Sequence, residues 1–347
     1  TALYRFHRLV SLNEVGGDPG HFGTALSQFH EACAVRQMDH PLAQLASTTH
    51  DTKRSEDVRA RLALLSEIPD RWADAVVKWA RHNDRHRREG VPDRNTEYLF
   101  YQTLVGAWPI EVDRMTAYMQ KATCEAKEHT SWRRPDEAYD RGLHDFITAV
   151  MTDDIFLADF KRFVADLVPA GRINSLSQTL IKLTAPGVPD IYQGTELWDL
   201  SLVDPDNRRP VDFALRRDRL AEVAELQPEN ILARMDEGLP KLWLIRQTLH
   251  LRRKRPELFG SEGSYDSLMA QGAQSDHVVA FVRGQAAITV APRWIIRLDS
   301  NWADTTLQLP KGRWHNILTD DEMPGGAARL DKILARFPVA LLVQQEA

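Results

Sequence analysis

The sequence has only two cysteines, Cys33 and Cys124, which lie far apart and form no Cys-x-x-Cys pair. This scarcity argues against a disulfide framework and against a structural zinc site. No apolar run approaches the about 18 residues that indicate a transmembrane helix. The formal net charge is −5, which argues against wholesale binding to nucleic acid. These absences favour a cytoplasmic protein that binds neither membranes nor nucleic acid.

The composition, with 43% hydrophobic and 27% charged residues, is typical of a globular protein. The first ten residues, "TALYRFHRLV", include no initiator methionine and do not resemble a signal peptide, so we expect a piece of a longer protein. His82 and His86 have i, i+4 spacing, but we expect no carboxylate ligand near them. We therefore expect surface positions for them, and neither a metal site nor a cofactor.

The middle of the chain is predicted to be almost purely helical. Val58, Leu62 and Leu65 recur at helical spacing, and Ser55 precedes them as an N-cap. The tryptophans that follow Pro69 repeat this spacing, which indicates a core rather than a ligand platform. Further predicted helices cover residues 24–37, 95–107, 109–128, 136–168, 173–187, 214–225 and 239–254.

Two short strands flank the main helical block. The first is predicted to end at His50-Asp51, and the second is a buried run, "VPDIYQG" (188–194). Before the first strand, the Gly/Pro-rich residues 13–23 are interpreted as a plain loop, because no phosphate-binding lysine follows them. From about residue 258 onward, short apolar runs alternate with turn residues, as in a small antiparallel β domain.

The His50-Asp51 pair is the first candidate for chemistry, because α/β barrels carry their catalytic groups at the carboxyl ends of strands. A buried histidine can donate hydrogen bonds to sugar hydroxyls, and a carboxylate can accept them. The neighbouring Lys53 and Arg54 could bind further hydroxyls or keep a carboxylate ionised. From residue types alone, however, a helix cap and turn is the more ordinary role for such a segment.

Longer stretches of the sequence resemble one enzyme family. "THDTKRSED" (49–57) and "GVPDIYQGTE" (187–196) resemble the seventh and eighth barrel strands of the α-amylase superfamily. Four further stretches are similar to its maltooligosyl trehalose synthase branch: "RLVSLNEVGGDP" (8–19), "PDRNTEYLFYQTLVGAWP" (92–109), "EAKEHTSW" (125–132) and residues 174–212. The resemblance covers essentially the whole chain.

The resemblance implies an α/β fold with additional all-α and all-β parts. The chain would contain the last strands and helices of a (β/α)8 barrel, a large helical insertion and a C-terminal antiparallel β domain. The expected segments are a partial barrel (1–60), the helical insertion (61–170), the eighth strand and helix (171–256), and a β-sandwich (257–347).

The activity that the resemblance implies is that of a (1→4)-α-D-glucan 1-α-D-glucosylmutase, an isomerase. Such an enzyme converts the reducing-end α-1,4 bond of a maltooligosaccharide into an α,α-1,1 bond. A retaining route is expected, in which one carboxylate attacks the anomeric carbon and a second acts as acid and then base. Asp51 matches the third superfamily carboxylate, which stabilises the transition state, and His50 matches its hydroxyl-binding neighbour.

Lys53 and Arg54 lie in the same motif, and we expect them to help hold the leaving glucose. For Arg54, an ion pair with Asp57 is an equally good interpretation. "PDRN" (92–95) and "HTSW" (129–132) belong to the helical insertion, where they could shape a closed pocket.

Asp204, Asn207 and Arg208 lie on a polar loop after the eighth strand, on the barrel face where substrates bind. They are candidate substrate-binding residues, although packing within the loop explains any one of them equally well. Tyr192 and Glu196 are interpreted mainly as structural residues at the end of the strand.

The sequence departs from the family pattern because the nucleophile and the general acid should follow the fourth and fifth barrel strands, upstream of residue 1. Asp236, in an Arg-x-Asp context, follows the eighth strand at a helix end or turn, and we reject it as a substitute. We therefore expect a truncated part or one half of a split enzyme, inactive alone, with an upstream barrel half as its partner. The alternatives are a related trehalohydrolase or amylase, and a non-catalytic glucan-binding fragment.

Overall fold

The computed structural model describes residues 1–345. The chain divides into two compact units. The first unit comprises residues 1–22, 49–171 and 200–209, and the second comprises residues 23–48, 172–199 and those from 210 onward. Each unit thus takes in three separate stretches of chain, whereas the four domains predicted from the sequence are consecutive segments. Those four boundaries stay a prediction.

Helices dominate the first two thirds of the chain and strands the last quarter. The helices are α1 (Leu26–Asp39), α2 (Glu56–Ala63), α3 (Pro69–Asn83), α4 (Arg94–Ala107), α5 (Val112–Ala126), α6 (Glu137–Met151), α7 (Asp154–Thr184), α8 (Phe213–Val223), α9 (Pro228–Ala233), α10 (Leu239–Lys254), α11 (Ile295–Leu298) and α12 (Leu330–Ile333). The strands are β1 (Gln44–Leu45), β2 (Val188–Pro189), β3 (Tyr265–Ser267), β4 (Val278–Arg283), β5 (Ala287–Pro292), β6 (Thr306–Asn316), β7 (Asp321–Arg329) and β8 (Ala340–Gln344).

Local signals place several helix boundaries correctly. The Ser55 hydroxyl accepts a hydrogen bond from the Val58 amide, which confirms the predicted N-cap of α2. Pro69 is the first residue of α3, where its missing N–H costs nothing. The predicted helix 136–168 is wrong, because α6 ends at Met151 and the Asp153 carboxylate caps a new helix, α7. The predicted helix 173–187 is the last part of α7.

The tryptophans of the helical block form its aromatic core, as the sequence predicts. Trp79 is almost completely buried, and its ring lies 5.9 Å from that of Trp72. Phe160 and Phe163, on the part of α7 that belongs to the first unit, approach Trp79 at 5.5 and 5.3 Å. The Trp79 indole N–H donates to Asp159 at 2.9 Å, so its polar atom is satisfied inside the core.

Strands β1 and β2 form a two-stranded parallel sheet in the second unit, with Gln44 paired to Val188. The first strand ends at Leu45, not at His50, and β2 covers only two of the seven residues predicted. Val188 is 46% exposed, so the prediction of a buried strand is also wrong. Each strand has a single neighbouring strand among the described residues, so its other edge is not paired with a strand there.

The C-terminal strands form one antiparallel sheet of six strands in the order β3-β4-β5-β8-β6-β7. The predicted antiparallel β domain is thereby confirmed. Hydrogen-bonded pairing joins all six strands into one sheet, and the expected sandwich arrangement stays a prediction. Both faces of β4 are covered: Val278 and Ala280 pack into one cluster, while Val279 and Phe281 pack into another.

Among residues 1–345, no helix combines the length and the hydrophobicity that crossing a membrane requires.

Candidate functional site

The His50-Asp51 pair lies on a turn at the surface of the first unit. The Thr52 hydroxyl closes this turn, because it accepts from the Thr49 amide at 3.2 Å and donates to the Thr49 carbonyl oxygen at 3.0 Å. The Asp51 side chain is 64% exposed. The His50 residue is exposed as well, so the prediction of a buried histidine is wrong. Both side chains are therefore open to a ligand.

Lys53 folds back over the turn that precedes it. Its Nζ donates to the backbone carbonyl oxygen of Asp51 at 3.0 Å and lies 3.5 Å from Asp51 Oδ1. An ion pair in which one side chain is exposed to solvent contributes little to stability. The arrangement instead provides an accessible carboxylate with a cation beside it, which together can accept from and donate to neighbouring hydroxyls.

Arg54, in contrast, points into the first unit and is only 2% exposed. One of its terminal nitrogens donates to the Val10 carbonyl oxygen at 3.3 Å, and the other donates to the Tyr118 hydroxyl at 2.7 Å. Its guanidinium carbon also lies 5.8 Å from the centre of the Tyr118 ring. The two adjacent cations of the sequence thus have different surroundings, and contact between Arg54 and a sugar stays a prediction.

The loop that carries the other candidate residues reaches the same turn. Buried Asn207 donates from Nδ2 to the carbonyl oxygens of His50, at 3.0 Å, and of Thr49, at 3.3 Å. Asp204 and Arg208 pair with each other, with 2.5 Å between Oδ1 and Nε. Asn207 therefore holds the turn through its amide group, whereas Asp204 and Arg208 are partly open to solvent.

Asp206 anchors this loop and was not found from the sequence. Its carboxylate accepts from Arg114 Nε at 2.8 Å and Arg114 Nη2 at 2.9 Å, and from the Leu202 amide at 2.7 Å. Burial raises the pKa of Asp206, but the bonds from Arg114 and Leu202 outweigh it and hold the pKa below its ordinary value. The acidic and basic residues of 204–209 signalled loop packing, but nothing in the sequence pointed to a partner on α5.

A cavity of about 310 Å³ lies beside this loop, with α5 forming its other wall. Its polar lining residues are Asp113, Arg114, Tyr118, Lys121, Asp204, Asp206 and Arg209. Lys121 donates from Nζ to the Asp204 carbonyl oxygen. The cavity thus adjoins a candidate substrate-binding residue.

Glu14 is a second residue that the sequence did not single out, because it lies in the stretch interpreted as a plain loop. Its carboxylate is buried and accepts hydrogen bonds from the backbone amides of Lys53 and Arg54. The only available signal was an acidic residue beside a glycine pair, and such residues are common in loops.

The segments 92–95 and 129–132 come together in the first unit. Asp93 caps α4, and its Oδ2 lies 3.3 Å from Nε2 of His129. Burial raises the pKa of Asp93, but hydrogen bonds from Thr96 outweigh it and lower the pKa below its ordinary value. The His129 ring stacks on Tyr139 with 4.8 Å between centres. Their expected part in shaping a pocket stays a prediction.

In the second unit, the residues interpreted as structural have structural partners. Glu196 accepts from Arg216 Nε at 3.0 Å, and the Tyr192 carbonyl oxygen accepts from the Thr195 amide at 3.0 Å. Asp236 lies on a short 3-10 turn and pairs with Arg172 at 2.5 Å. This position at a turn agrees with the prediction on which Asp236 is rejected as a nucleophile.

The histidines of the helical block contradict one prediction. His82 and His86 do have a carboxylate beside them, since their Nε2 atoms lie 2.8 and 3.3 Å from Asp153 Oδ2. Asp153 follows them by about 70 positions in the sequence, so spacing alone could not reveal it. Arg85 also contacts this carboxylate. Within the described part of the chain, no group of three histidine, cysteine or acidic side chains is arranged to hold a metal ion.

Comparison with known proteins finds close similarity to one group of enzymes. No protein-family model matches the chain. A protein of Mycobacterium tuberculosis strain H37Rv, whose name assigns it to the maltooligosyl trehalose synthases, is 39% identical over 353 aligned positions. The match covers 99% of this chain and 43% of that protein.

Solved structures agree with this result. The maltooligosyltrehalose synthase from Arthrobacter ramosus is 40% identical, with a TM-score of 0.88 over 99% of this chain and 44% of that one. A hypothetical maltooligosyl trehalose synthase from Sulfolobus tokodaii is 31% identical, with a TM-score of 0.82 over 99% of this chain and 44% of that one. The chain spans less than half the length of these relatives, and nearly all of it aligns with a portion of each.

Proposed function

We propose that this chain is the C-terminal portion of a maltooligosyl trehalose synthase and supplies its third catalytic carboxylate, Asp51. The observation that carries the proposal is the exposed Asp51 on a held turn, with Lys53 Nζ 3.5 Å from its Oδ1. Similarity over 99% of the chain to proteins of that name supports it. Because those proteins are more than twice as long, the rest of the site would come from a preceding part of the complete protein.

The missing part would contain the nucleophile, the general acid and the first strands of the barrel. Strands β1 and β2 would be its last two strands, and their parallel pairing supports that assignment. The four consecutive segments expected from the sequence describe how the chain would fit into the complete enzyme. An upstream barrel half is therefore the partner of this chain.

The reaction would proceed in two displacements. In the first, the nucleophile bonds to the anomeric carbon while the α-1,4 bond breaks, and the acid protonates the departing glucose oxygen. In the second, the glucose attacks with its own anomeric hydroxyl. The base removes that proton, the nucleophile leaves, and the α,α-1,1 bond forms without a change in the number of glucose units.

The described residues would act on this reaction through hydrogen bonds and charge. Asp51 would accept from sugar hydroxyls and stabilise the positive charge that develops at the anomeric carbon. His50 would bind a neighbouring hydroxyl. Lys53, whose ammonium group is already held over the turn, would hold the released glucose until it attacks again.

The loop residues would complete the substrate contacts. Asp204 and Arg208 are half-exposed and could exchange their mutual ion pair for contacts to hydroxyls. Asn207 would contribute by holding the turn, and Arg54 would do so from the interior. No cofactor takes part in this proposal, and the ligand is a maltooligosaccharide.

A cytoplasmic location is part of the proposal. Cys33 and Cys124 are both buried free thiols, so folding of the described residues does not depend on an oxidising compartment.

A reducing-end assay on maltopentaose tests the proposal. We expect activity when the chain is mixed with a protein supplying the upstream barrel half, and none from either part alone. The Asp51→Asn variant should abolish it, whereas Asp236→Asn, which alters an exposed carboxylate, should not. Loss of reducing ends without free glucose indicates isomerisation.

Other outcomes would favour the alternatives. Release of glucose or trehalose from the mixture would indicate a hydrolase of the same superfamily. Firm retention on amylose resin that Asp51→Asn leaves unchanged, together with an inactive mixture, would indicate a glucan-binding module.

A further inference from the structure

The first unit contains a buried carboxylate at the back of the candidate site. Glu14 follows a short 3-10 turn, Val10–Leu12, and both its carboxylate oxygens point at the backbone that follows Asp51. The Lys53 amide donates to Oε1 at 2.8 Å and to Oε2 at 2.9 Å. The Arg54 amide donates to Oε2 at 3.3 Å. Hydrogen bonds to a charged acceptor are about twice as strong as neutral ones.

The loop that carries Glu14 is itself held in a defined shape. The Gly17 amide donates to the Glu14 carbonyl oxygen at 2.9 Å, and Gly16 has a φ of +77°, where side chains are rarely accommodated. A Cβ atom on Gly17 would lie 3.0 Å from the Leu12 carbonyl oxygen. The Asn13 amide group donates to the Leu3 carbonyl oxygen at 3.1 Å. The glycine pair of this stretch thus allows a tight turn that presents Glu14.

Glu14 contacts the backbone that adjoins the catalytic candidates. Asp51 is two residues before the amide that Glu14 holds most closely, and the Lys53 side chain returns from there to the Asp51 carbonyl oxygen. From the other side, Asn207 holds the carbonyl oxygen of His50. Asp51 is therefore placed between two anchored backbone positions, although its own carboxylate is open to solvent.

The charge of Glu14 is balanced from α2. Arg59 Nε lies 3.8 Å from Glu14 Oε2, so the carboxylate is not left alone in the interior. A third amide, that of Val15, donates to Oε1 at 2.9 Å. All these donors need an acceptor, and an amide side chain at position 14 would direct its own N–H group at a backbone N–H.

We propose that Glu14 is a positioning residue, which orients Asp51 and Lys53 by holding the amides of residues 53 and 54. This inference rests on the proposed function, since it names a further residue of the same site. Glu14 does not touch the sugar. Its effect on the reaction comes through the direction of the Asp51 carboxylate.

The first test needs no activity. In this chain alone, amide hydrogen exchange is measured residue by residue for wild type, Glu14→Gln and Glu97→Gln. Glu97 is the matched control, a buried acid of the same unit that accepts from Tyr101 and Arg94. We expect exchange at Lys53 and Arg54 to be at least about tenfold faster in Glu14→Gln only. Equal exchange in all three proteins overturns the proposal.

The second test uses the chain mixed with the upstream barrel half. A misplacement of about 1 Å costs on the order of 10²-fold in rate. Glu14→Gln should therefore lower kcat between about 10- and 100-fold, with KM changed less than about threefold. Glu97→Gln should keep a wild-type kcat. An unchanged kcat in Glu14→Gln, or equal losses in the two variants, overturns the positioning role.

A third variant covers the case in which Glu14→Gln does not fold. Glu14→Asp keeps the charge and withdraws it by one methylene group, so kcat should fall by about tenfold. A kcat within twofold of wild type would overturn the proposal. An inactive wild-type mixture is a different result: the proposed function then fails, while the exchange rates at Lys53 and Arg54 still decide whether Glu14 holds the turn.

Discussion

Asn207 Nδ2 donates a hydrogen bond to the backbone carbonyl oxygen of His50 at 3.0 Å, across 157 positions of the sequence. This bond joins the loop 200–209 to the turn that carries Asp51, within the first unit. A catalytic candidate is therefore held by a residue that was itself predicted to bind substrate. The distinction between binding and holding can be tested residue by residue.

Replacing Asn207 by alanine should destabilise the first unit. The change removes the donor to the His50 carbonyl oxygen, whereas the Thr49 carbonyl oxygen keeps the Thr52 hydroxyl, and leaving a partly buried polar group unpaired costs about 1–3 kcal/mol. The free energy of unfolding in urea measures it. Arg208→Ala is the control, because its exposed side chain should contribute less than about 0.5 kcal/mol. Equal losses in both variants would contradict the anchoring role.

Truncation of Arg54 should lower stability, whereas truncation of Lys53 should lower activity. Arg54→Ala should lower the free energy of unfolding by about 1–3 kcal/mol, because it removes two hydrogen bonds from the interior, those to the Val10 carbonyl oxygen and the Tyr118 hydroxyl. Lys53→Ala should change stability by less than about 0.5 kcal/mol and lower the activity of the reconstituted enzyme by about tenfold or more. Urea unfolding and the reducing-end assay separate the two. Similar stability losses would argue against this assignment.

The ion pair between Arg114 and Asp206 should make stability depend on pH. The pKa of Asp206 in the folded chain lies below its ordinary value of 3.8. As the pH falls towards that value, the unfolded chain binds the proton first, so the stabilisation is present above pH 3.8 and is lost below it.

Arg114→Ala should therefore differ most from wild type near neutral pH. The difference between the urea midpoints of wild type and Arg114→Ala should become smaller as the pH is lowered from about 6 to about 3. Arg133→Ala, which alters an exposed arginine of the same unit, should show no such difference. A difference between wild type and Arg114→Ala that stays constant over this range would contradict the prediction that protonation of Asp206 removes the stabilisation.

Trp79→Ala should be among the most destabilising changes in the helical block. It removes a fully buried ring from the aromatic core and leaves Asp159 without the indole donor, so we expect a loss of about 3–5 kcal/mol. Val77→Ala, two residues away and 47% exposed, should cost less than about 0.5 kcal/mol. Thermal unfolding followed by circular dichroism compares them. A small effect at Trp79 would mean that the cavity relaxes around it.

Several parts of the fold were predictable because neighbouring residues decide them. The bounds of α10 agree with the predicted 239–254, and α4 begins one residue before the predicted 95. Apolar spacing, an N-cap serine and recurring turn residues act over a few positions, so a window of sequence contains them. The antiparallel arrangement of the last strands follows from the same kind of signal.

Other features could not be predicted from the sequence, because they depend on contacts between residues that are distant along the chain. The Asp153 carboxylate at the break between α6 and α7 also contacts His82, at the end of α3, and His86, on the short 3-10 turn that follows. The exposure of His50 and the burial of Arg54 depend on what packs around each side chain, and adjacent residues of similar polarity can have opposite surroundings.

The sequence by itself determined the helical block, the antiparallel domain, the resemblance to a family and the identity of Asp51 as the candidate carboxylate. Only the tertiary structure decided that Glu14 and Asn207 hold its turn, since each hydrogen bond joins residues 39 or more positions apart. Such bonds depend on distance and angle between atoms that the fold brings together. Residue types along the chain record which bonds are possible, and packing selects the ones that form.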